Sequence, residues 1–318
     1  MHAKHTVILK AFASILIIIP YYGKWPSYFN LYLRGCKNNP WLNILFFTDC
    51  TIPEASPENV NFIPSSLRDF SKMATKILKN NIEIERAYKI CDFRPCYGLI
   101  FQDYLSGYDY WGYGDIDLIY GNLSNYILPK IGEGFDVLSN RSEIMSGSLS
   151  IFRNTTAINS LFKKSDFFLN LLRSNRYEGL DETAHDNRTW KGANKLTLPR
   201  QSFTYLIAYA QENGLLKVSF ETTCEEFLGK HDIVRFEENR LTFNGNEISY
   251  YHYVCNKNNE WFKFPDWKIV PNKFYITETG FYLSSFGIIK DYIHLWRKSS
   301  GYLKNIMFRI SKRLKICS

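Results

Sequence analysis

Trp111-Gly112-Tyr113-Gly114-Asp115-Ile116-Asp117-Leu118-Ile119-Tyr120-Gly121-Asn122-Leu123 is an apolar run broken by two carboxylates. Residues two apart on an extended strand face the same side. Residues 110–119 are therefore expected to form a buried strand that presents Asp115 and Asp117 together at its end. Two partly dehydrated carboxylates side by side repel each other unless a positive charge sits between them. A hard divalent cation meets that need, and oxygen ligands favour Mg²⁺ or Mn²⁺ over zinc. Such an ion would bind the diphosphate of a nucleotide as a Lewis acid.

Working outward, residues 14–20 are continuous in Ile and Leu, as a parallel strand covered on both faces should be. Pro26 opens a helix expected through Leu33. Residues 42–48, 60–63, 136–138, 148–152 and 248–254 read as further strands. Residues 72–80, 97–105 and 160–173 read as helices. Strands alternating with helices imply an α/β fold with a mainly parallel sheet, and in such sheets ligands bind at the carboxyl ends of the strands. Tyr21, Asp49 and Asp115 all fall at such ends. Residues 182–200 carry few apolar anchors and read as a long loop ordered by ligand. Residues 267–286 read as a small hairpin. The expected division is a body over 1–265 and an appendage over 266–318.

With 318 residues and 45% hydrophobic content the chain has ample material for a core. Its 22 Tyr, 24 Phe and 7 Trp suit stacking on sugars or bases, although a general bias toward aromatic residues explains most of them as well. The seven cysteines are scattered and odd in number. This argues against a disulfide framework and a zinc site, and in favour of a reducing cytoplasm. Residues 11–20 are too short an apolar run to span a bilayer.

The net charge of +8 is concentrated at one end. Lys290, Arg297, Lys298, Lys304, Arg309, Lys312, Arg313 and Lys315 stand against Asp291, so residues 290–318 carry +7 and the rest carries +1. A near-neutral body argues against nucleic acid as a partner. In the tail, Leu303, Ile306, Met307, Ile310 and Leu314 recur at helical spacing among the basic residues. That pattern predicts a basic amphipathic helix lying on an anionic membrane surface.

Several blocks in order resemble bacterial glycosyltransferases of the GT-A fold, a Rossmann-like nucleotide-sugar-binding architecture. The resemblance is to a group associated with capsule and lipopolysaccharide synthesis. The blocks are Ile18-Ile19-Pro20-Tyr21-Tyr22-Gly23-Lys24-Trp25-Pro26, Leu45-Phe46-Phe47-Thr48-Asp49 and Tyr88-Lys89-Ile90-Cys91-Asp92-Phe93-Arg94-Pro95. The carboxylate stretch follows, then Ser148-Leu149-Ser150-Ile151-Phe152-Arg153-Asn154, Asp181-Glu182 and Tyr251-His252-Tyr253.

The resemblance implies a nucleotide-sugar donor, a UDP-sugar, held by Tyr21, Tyr22, Gly23, Asp49, Lys89, Asp92 and Arg94. It implies His252 as a third metal ligand beside Asp115 and Asp117, with Mn²⁺ or Mg²⁺ as cofactor. The pattern departs after His252, where Val254-Cys255-Asn256 intervene before Lys257, the nearest substitute for a basic diphosphate contact. Asp181 or Glu182 would serve the acceptor, as a general base if transfer inverts the anomeric centre. The acceptor would be a glycan or a lipid-linked glycan, met by a peripheral enzyme on the inner face of the cell membrane. A metal-dependent phosphodiesterase or hydrolase, and a non-catalytic membrane-surface component of a glycan assembly complex, are the competing classes.

Overall fold

The computed structural model describes residues 13–284. Its centre is a seven-stranded sheet in the order β3-β2-β1-β4-β7-β6-β8. The strands are β1 (Ile15–Tyr21), β2 (Leu42–Thr48), β3 (Val60–Pro64), β4 (Tyr110–Gly114), β6 (Val137–Ser139), β7 (Leu149–Arg153) and β8 (Val218–Phe220). β5 (Leu118–Tyr120) lies outside this sheet. β1 pairs in parallel with β2 and β4, β2 with β3, and β6 with β8, while β7 alone runs antiparallel to its neighbours. The expected mainly parallel sheet is present.

Both faces of the sheet are buried, which explains the uninterrupted apolar strands. Along β1, Leu16 and Ile18 enter one core while Ile15, Ile17 and Ile19 enter the other. In β2, Leu45 and Phe47 separate from Leu42, Ile44 and Phe46 in the same way, the period of two that a pleated strand imposes. One face is covered by α2 (Leu67–Leu78), the 3₁₀ turns over Ala87–Cys96 and the helix Phe203–Glu212. The other is covered by α1 (Phe29–Lys37) and β5.

Helix boundaries moved from the expected ones for local reasons. α1 begins three residues after Pro26, whose carbonyl accepts the Phe29 N–H at 3.0 Å. α2 begins at Leu67 because Ser66 and Asp69 form a reciprocal capping box. The helix expected over 160–173 is broken into a 3₁₀ turn and a short helix, Phe168–Leu171.

Residues 182–200 form linked turns, including the 3₁₀ segments Arg188–Lys191 and Lys195–Thr197. A second, antiparallel sheet follows in the order β11-β10-β9-β13-β14, built from β9 (Val234–Glu237), β10 (Arg240–Phe243), β11 (Asn246–Glu247), β13 (Lys273–Thr277) and β14 (Gly280–Tyr282). β13 pairs with β9 as well as with β14. The hairpin after residue 266 thus completes a sheet begun before it. The basic tail over 290–318 lies outside the described residues. No helix among the described residues is long and apolar enough to cross a membrane.

One close approach ties α1 to the strand that follows the carboxylates. A Cβ at Gly35 would stand 2.9 Å from the backbone nitrogen of Tyr120. Gly35→Ala is expected to push α1 off β5 and to lower stability by about 1–3 kcal/mol, readable as a fall in the urea midpoint. An unchanged midpoint would show that this seam is slack.

Candidate active site

The carboxylates do not share one strand. β4 ends at Gly114, the chain leaves the central sheet over residues 115–117, and β5 pairs instead with β12 (Tyr250–His252). The expectation of a continuous strand over 110–119 is corrected here. The two side chains converge because both ends of the crossing are tied down. Asp115 N–H donates to the Ser148 carbonyl at 3.0 Å, and Tyr253 N–H donates to the Asp117 carbonyl at 3.2 Å. The antiparallel register sets His252 opposite Leu118. Ligand atoms of Asp115, Asp117 and His252 consequently lie within 4.8 Å of one another.

Each carboxylate divides its two oxygens between a cation and the imidazole. Asp115 Oδ1 is paired with Arg94, and its Oδ2 lies 3.8 Å from His252 Nε2. Asp117 Oδ2 accepts from Lys257 Nζ at 2.5 Å, and its Oδ1 lies 3.3 Å from His252 Nε2. The outer oxygens are neutralised and the inner ones face a common centre. Repulsion between the two acids, expected from their spacing, is offset by these neighbours rather than left to a metal alone.

Burial alone would raise the Asp117 carboxyl, but the adjacent His252, together with Lys257, holds it well below its usual range. Burial would lower the His252 pKa, yet the Asp117 and Glu226 carboxylates beside its two ring nitrogens push it up to about 10. Glu226 Oε1 sits 3.3 Å from His252 Nδ1 and orients the ring. His252 Nε2 is buried and makes no hydrogen bond of good geometry. An orphaned nitrogen aimed between two carboxylate oxygens fits a divalent cation.

A metal must displace the proton held on His252. Binding at neutral pH is expected to release about one proton, with affinity rising about tenfold per pH unit below the raised imidazole value. Titration calorimetry in buffers of different ionisation enthalpy reads that proton. A buffer-independent heat would remove His252 from the ligand set.

Asp181 and Glu182 occupy different environments. Asp181 is fully buried; its Oδ2 accepts from Arg94 Nη1 at 2.9 Å and its Oδ1 from Tyr177 OH at 2.8 Å. Burial raises its pKa to about 7 against the pull of Arg94. Glu182 lines the cavity, and its Oε1 accepts from the Gly147 N–H at 3.0 Å. Burial raises its pKa, partly opposed by that N–H and by Arg94. A Cβ at residue 147 would fall 2.7 Å from both Arg94 Nη1 and Glu182 Oε1, so a side chain there would displace one or both groups from their present positions. The turn carrying the pair is strained, with Ala184 and His185 at φ +52° and +63°, a cost of about 1–2 kcal/mol per residue.

The cavity holds about 590 Å³. Tyr21, Tyr22, Arg94, Asp115, Asp117, Glu182, His252 and Lys257 line it. Gly23 and Asp49 do not line it. They are joined to each other by the Gly23 N–H donating to Asp49 Oδ1 at 2.7 Å. Lys89 and Asp92 form a buried ion pair of 2.9 Å away from the cavity. Asp92 accepts from Glu178 N and Leu180 N at 2.8 Å each, and Lys89 donates to the Leu171 carbonyl. This pair braces the chain leading into Asp181.

Sequence reasoning missed Glu226, Arg141, Tyr28, Tyr88, Tyr177 and Trp190, all of which line the cavity. Glu226 reaches His252 through a single parallel bridge between Glu225 and Tyr251. No local pattern announces such a contact.

An α/β protein with an Asp-Asp-His cluster between the end of β4 and the β5–β12 pair is thus defined. By sequence it belongs to the family of unknown function DUF6625, which it matches over residues 17–285. No curated protein matches it. Among solved structures it is similar to mouse xyloside xylosyltransferase 1 in its apo form, with 10% identity and a TM-score of 0.38. The match covers 77% of this chain and 98% of that one.

Proposed function

We propose that this protein is a metal-dependent glycosyltransferase moving a sugar from a nucleotide-sugar, a UDP-sugar, to a hydroxyl of a bacterial surface polysaccharide or lipid-linked glycan. The observation carrying this reading is the Asp115-Asp117-His252 cluster, with both outer oxygens neutralised, opening into a cavity large enough for a nucleotide-sugar. Mn²⁺ or Mg²⁺ held there would supply Lewis-acid stabilisation of the departing diphosphate.

Lys257 and Arg94 are the cations within reach of the same phosphates, and Tyr21 and Tyr28 offer rings on the Asp117 side for base or ribose. Glu182 takes the acceptor proton if the reaction inverts. Asp181, with both oxygens occupied by Arg94 and Tyr177, positions the guanidinium. The basic segment 290–318 is assigned from its sequence to an anionic membrane surface, where a lipid-linked acceptor would be met.

The test is Mn²⁺-dependent release of UDP from a panel of UDP-sugars, with and without glycan acceptors. Metal-dependent consumption of one donor, accelerated by acceptor, is the expected result. Consumption indifferent to every acceptor would favour a hydrolase. A protein that binds no nucleotide with metal present would overturn the enzymatic reading.

A further inference from the structure

The cavity has a second aromatic group besides Tyr21 and Tyr28, made of Tyr88, Tyr177 and Trp190. Tyr88 is 67% exposed and Trp190 is 45% exposed. Large rings left in water at the lip of a polar cleft lose the gain that burial would give them. What sets these rings apart from exposed aromatics elsewhere is that they converge with polar groups in one concavity, which marks a binding site.

Trp190 is held in place from several directions. It sits in the 3₁₀ segment Arg188–Lys191, closed by the Gly192 N–H donating to the Thr189 carbonyl at 3.0 Å. Arg188 fastens the segment through Asp186 and the Thr197 carbonyl. The Arg141 guanidinium stacks 4.6 Å from the indole centroid and reaches Glu226 Oε2 at 3.4 Å. Glu226 in turn orients His252. One connected chain, Trp190–Arg141–Glu226–His252, therefore links the lip of the cleft to the metal cluster and fixes the indole relative to it.

We infer that Trp190 is the stacking platform for the acceptor, and that the acceptor is a pyranose ring. The inference rests on the transferase reading above. A pyranose presents an apolar C–H face flanked by hydroxyls, which matches an indole with ionic groups around it. Here those groups are Arg141 and, paired with it, Glu226. A flexible alkyl alcohol would have no use for a rigid, half-exposed ring stacked on a guanidinium. Glu182 lines the same cavity, so a hydroxyl of a ring stacked on Trp190 is assigned to it as the one that loses its proton.

The experiment uses the full chain labelled with 5-fluorotryptophan, loaded with Mn²⁺ and UDP, and titrated with methyl glycosides of xylose, glucose, galactose, N-acetylglucosamine and rhamnose. The Trp190 fluorine resonance is identified by its loss in Trp190→Phe. At least one glycoside is expected to move that resonance selectively. Trp190→Ala should weaken its binding about tenfold or more, Trp190→Phe should largely retain it, and UDP–Mn²⁺ affinity should be unchanged in both. If UDP–Mn²⁺ binds but no glycoside moves the resonance, or if Trp190→Ala binds the glycoside as tightly as the parent, the platform is wrong while the transferase reading stands. If glycosides stack on Trp190 but UDP–Mn²⁺ does not bind, the platform survives as a sugar site and the transferase reading falls.

Discussion

Asp117→Asn is expected to abolish metal-dependent sugar transfer, lowering turnover by at least about 10²–10³-fold, and also to destabilise the metal-free protein. The second effect runs against what two adjacent acids suggest, since deleting one of a repelling pair should relieve strain. The contacts decide otherwise. Asp117 is buried, receives Lys257 at 2.5 Å and faces a His252 whose pKa is pushed up to about 10. Removing its charge takes the ion-pair partner of Lys257 and one of the carboxylates that face His252. Breaking a buried pair costs about 3–5 kcal/mol, and the Lys257 side chain, 27% exposed, places this case near the lower figure.

The pH dependence of that destabilisation has a definite sign. The depressed Asp117 carboxyl contributes stability above its ordinary value of about 4, and this is lost as pH falls through the lowered one. The raised His252 contributes fully below about 6.5, and this is lost as pH rises toward about 10. In chelator-treated protein the melting gap between parent and variant should be widest between those ordinary values and should narrow on either side. Transfer surviving within about tenfold, together with an unchanged metal affinity, would remove Asp117 from the metal site.

The same residue shows where sequence reading stops. The apolar runs of β1 and β2 identify themselves because a strand buried on both faces needs no polar alternation. Asp115 and Asp117 stand out for the complementary reason, being charges where the run should be apolar. The break between β4 and β5 does not show, because Gly-Asp-Ile-Asp-Leu reads the same whether the chain continues or changes sheets.

The resemblance names Arg94 and Lys257 for a donor's phosphates, but their pairing with Asp115 and Asp117 does not show, since they reach the two acids from 21 and 140 residues away. The Glu226–His252 contact depends on one isolated bridge between Glu225 and Tyr251. The second sheet was more readable than it seemed. Asn244-Gly245, at φ +48° and +90°, is the turn that joins β10 to β11, and an Asn-Gly pair between apolar segments is a strong hairpin signal. Lys89 and Asp92, close in sequence to Arg94, looked like one functional trio. The 3₁₀ path over Ala87–Cys96 sends Arg94 into the cleft and buries the other two behind it.

Glu182→Gln carries the second large expectation. The substitution keeps a carbonyl oxygen to accept the Gly147 N–H, so the geometry around Arg94 should survive. What it removes is the ability to take a proton. If transfer inverts the anomeric centre, turnover should fall by about 10²–10⁴-fold, with UDP–Mn²⁺ affinity unchanged. The raised Glu182 pKa gives this role a pH signature. The working form is the carboxylate, so activity of the parent should climb with pH through a value above the usual glutamate range, and the residual activity of Glu182→Gln should lack that limb. Asp181→Asn supplies the contrast. Its oxygens are taken by Arg94 and Tyr177, so its loss should act through a displaced guanidinium, weakening metal–nucleotide binding more than it slows the bound complex. A Glu182→Gln enzyme transferring sugar within about tenfold of the parent would take proton abstraction away from this carboxylate and leave it the task of holding Gly147 and Arg94 in register.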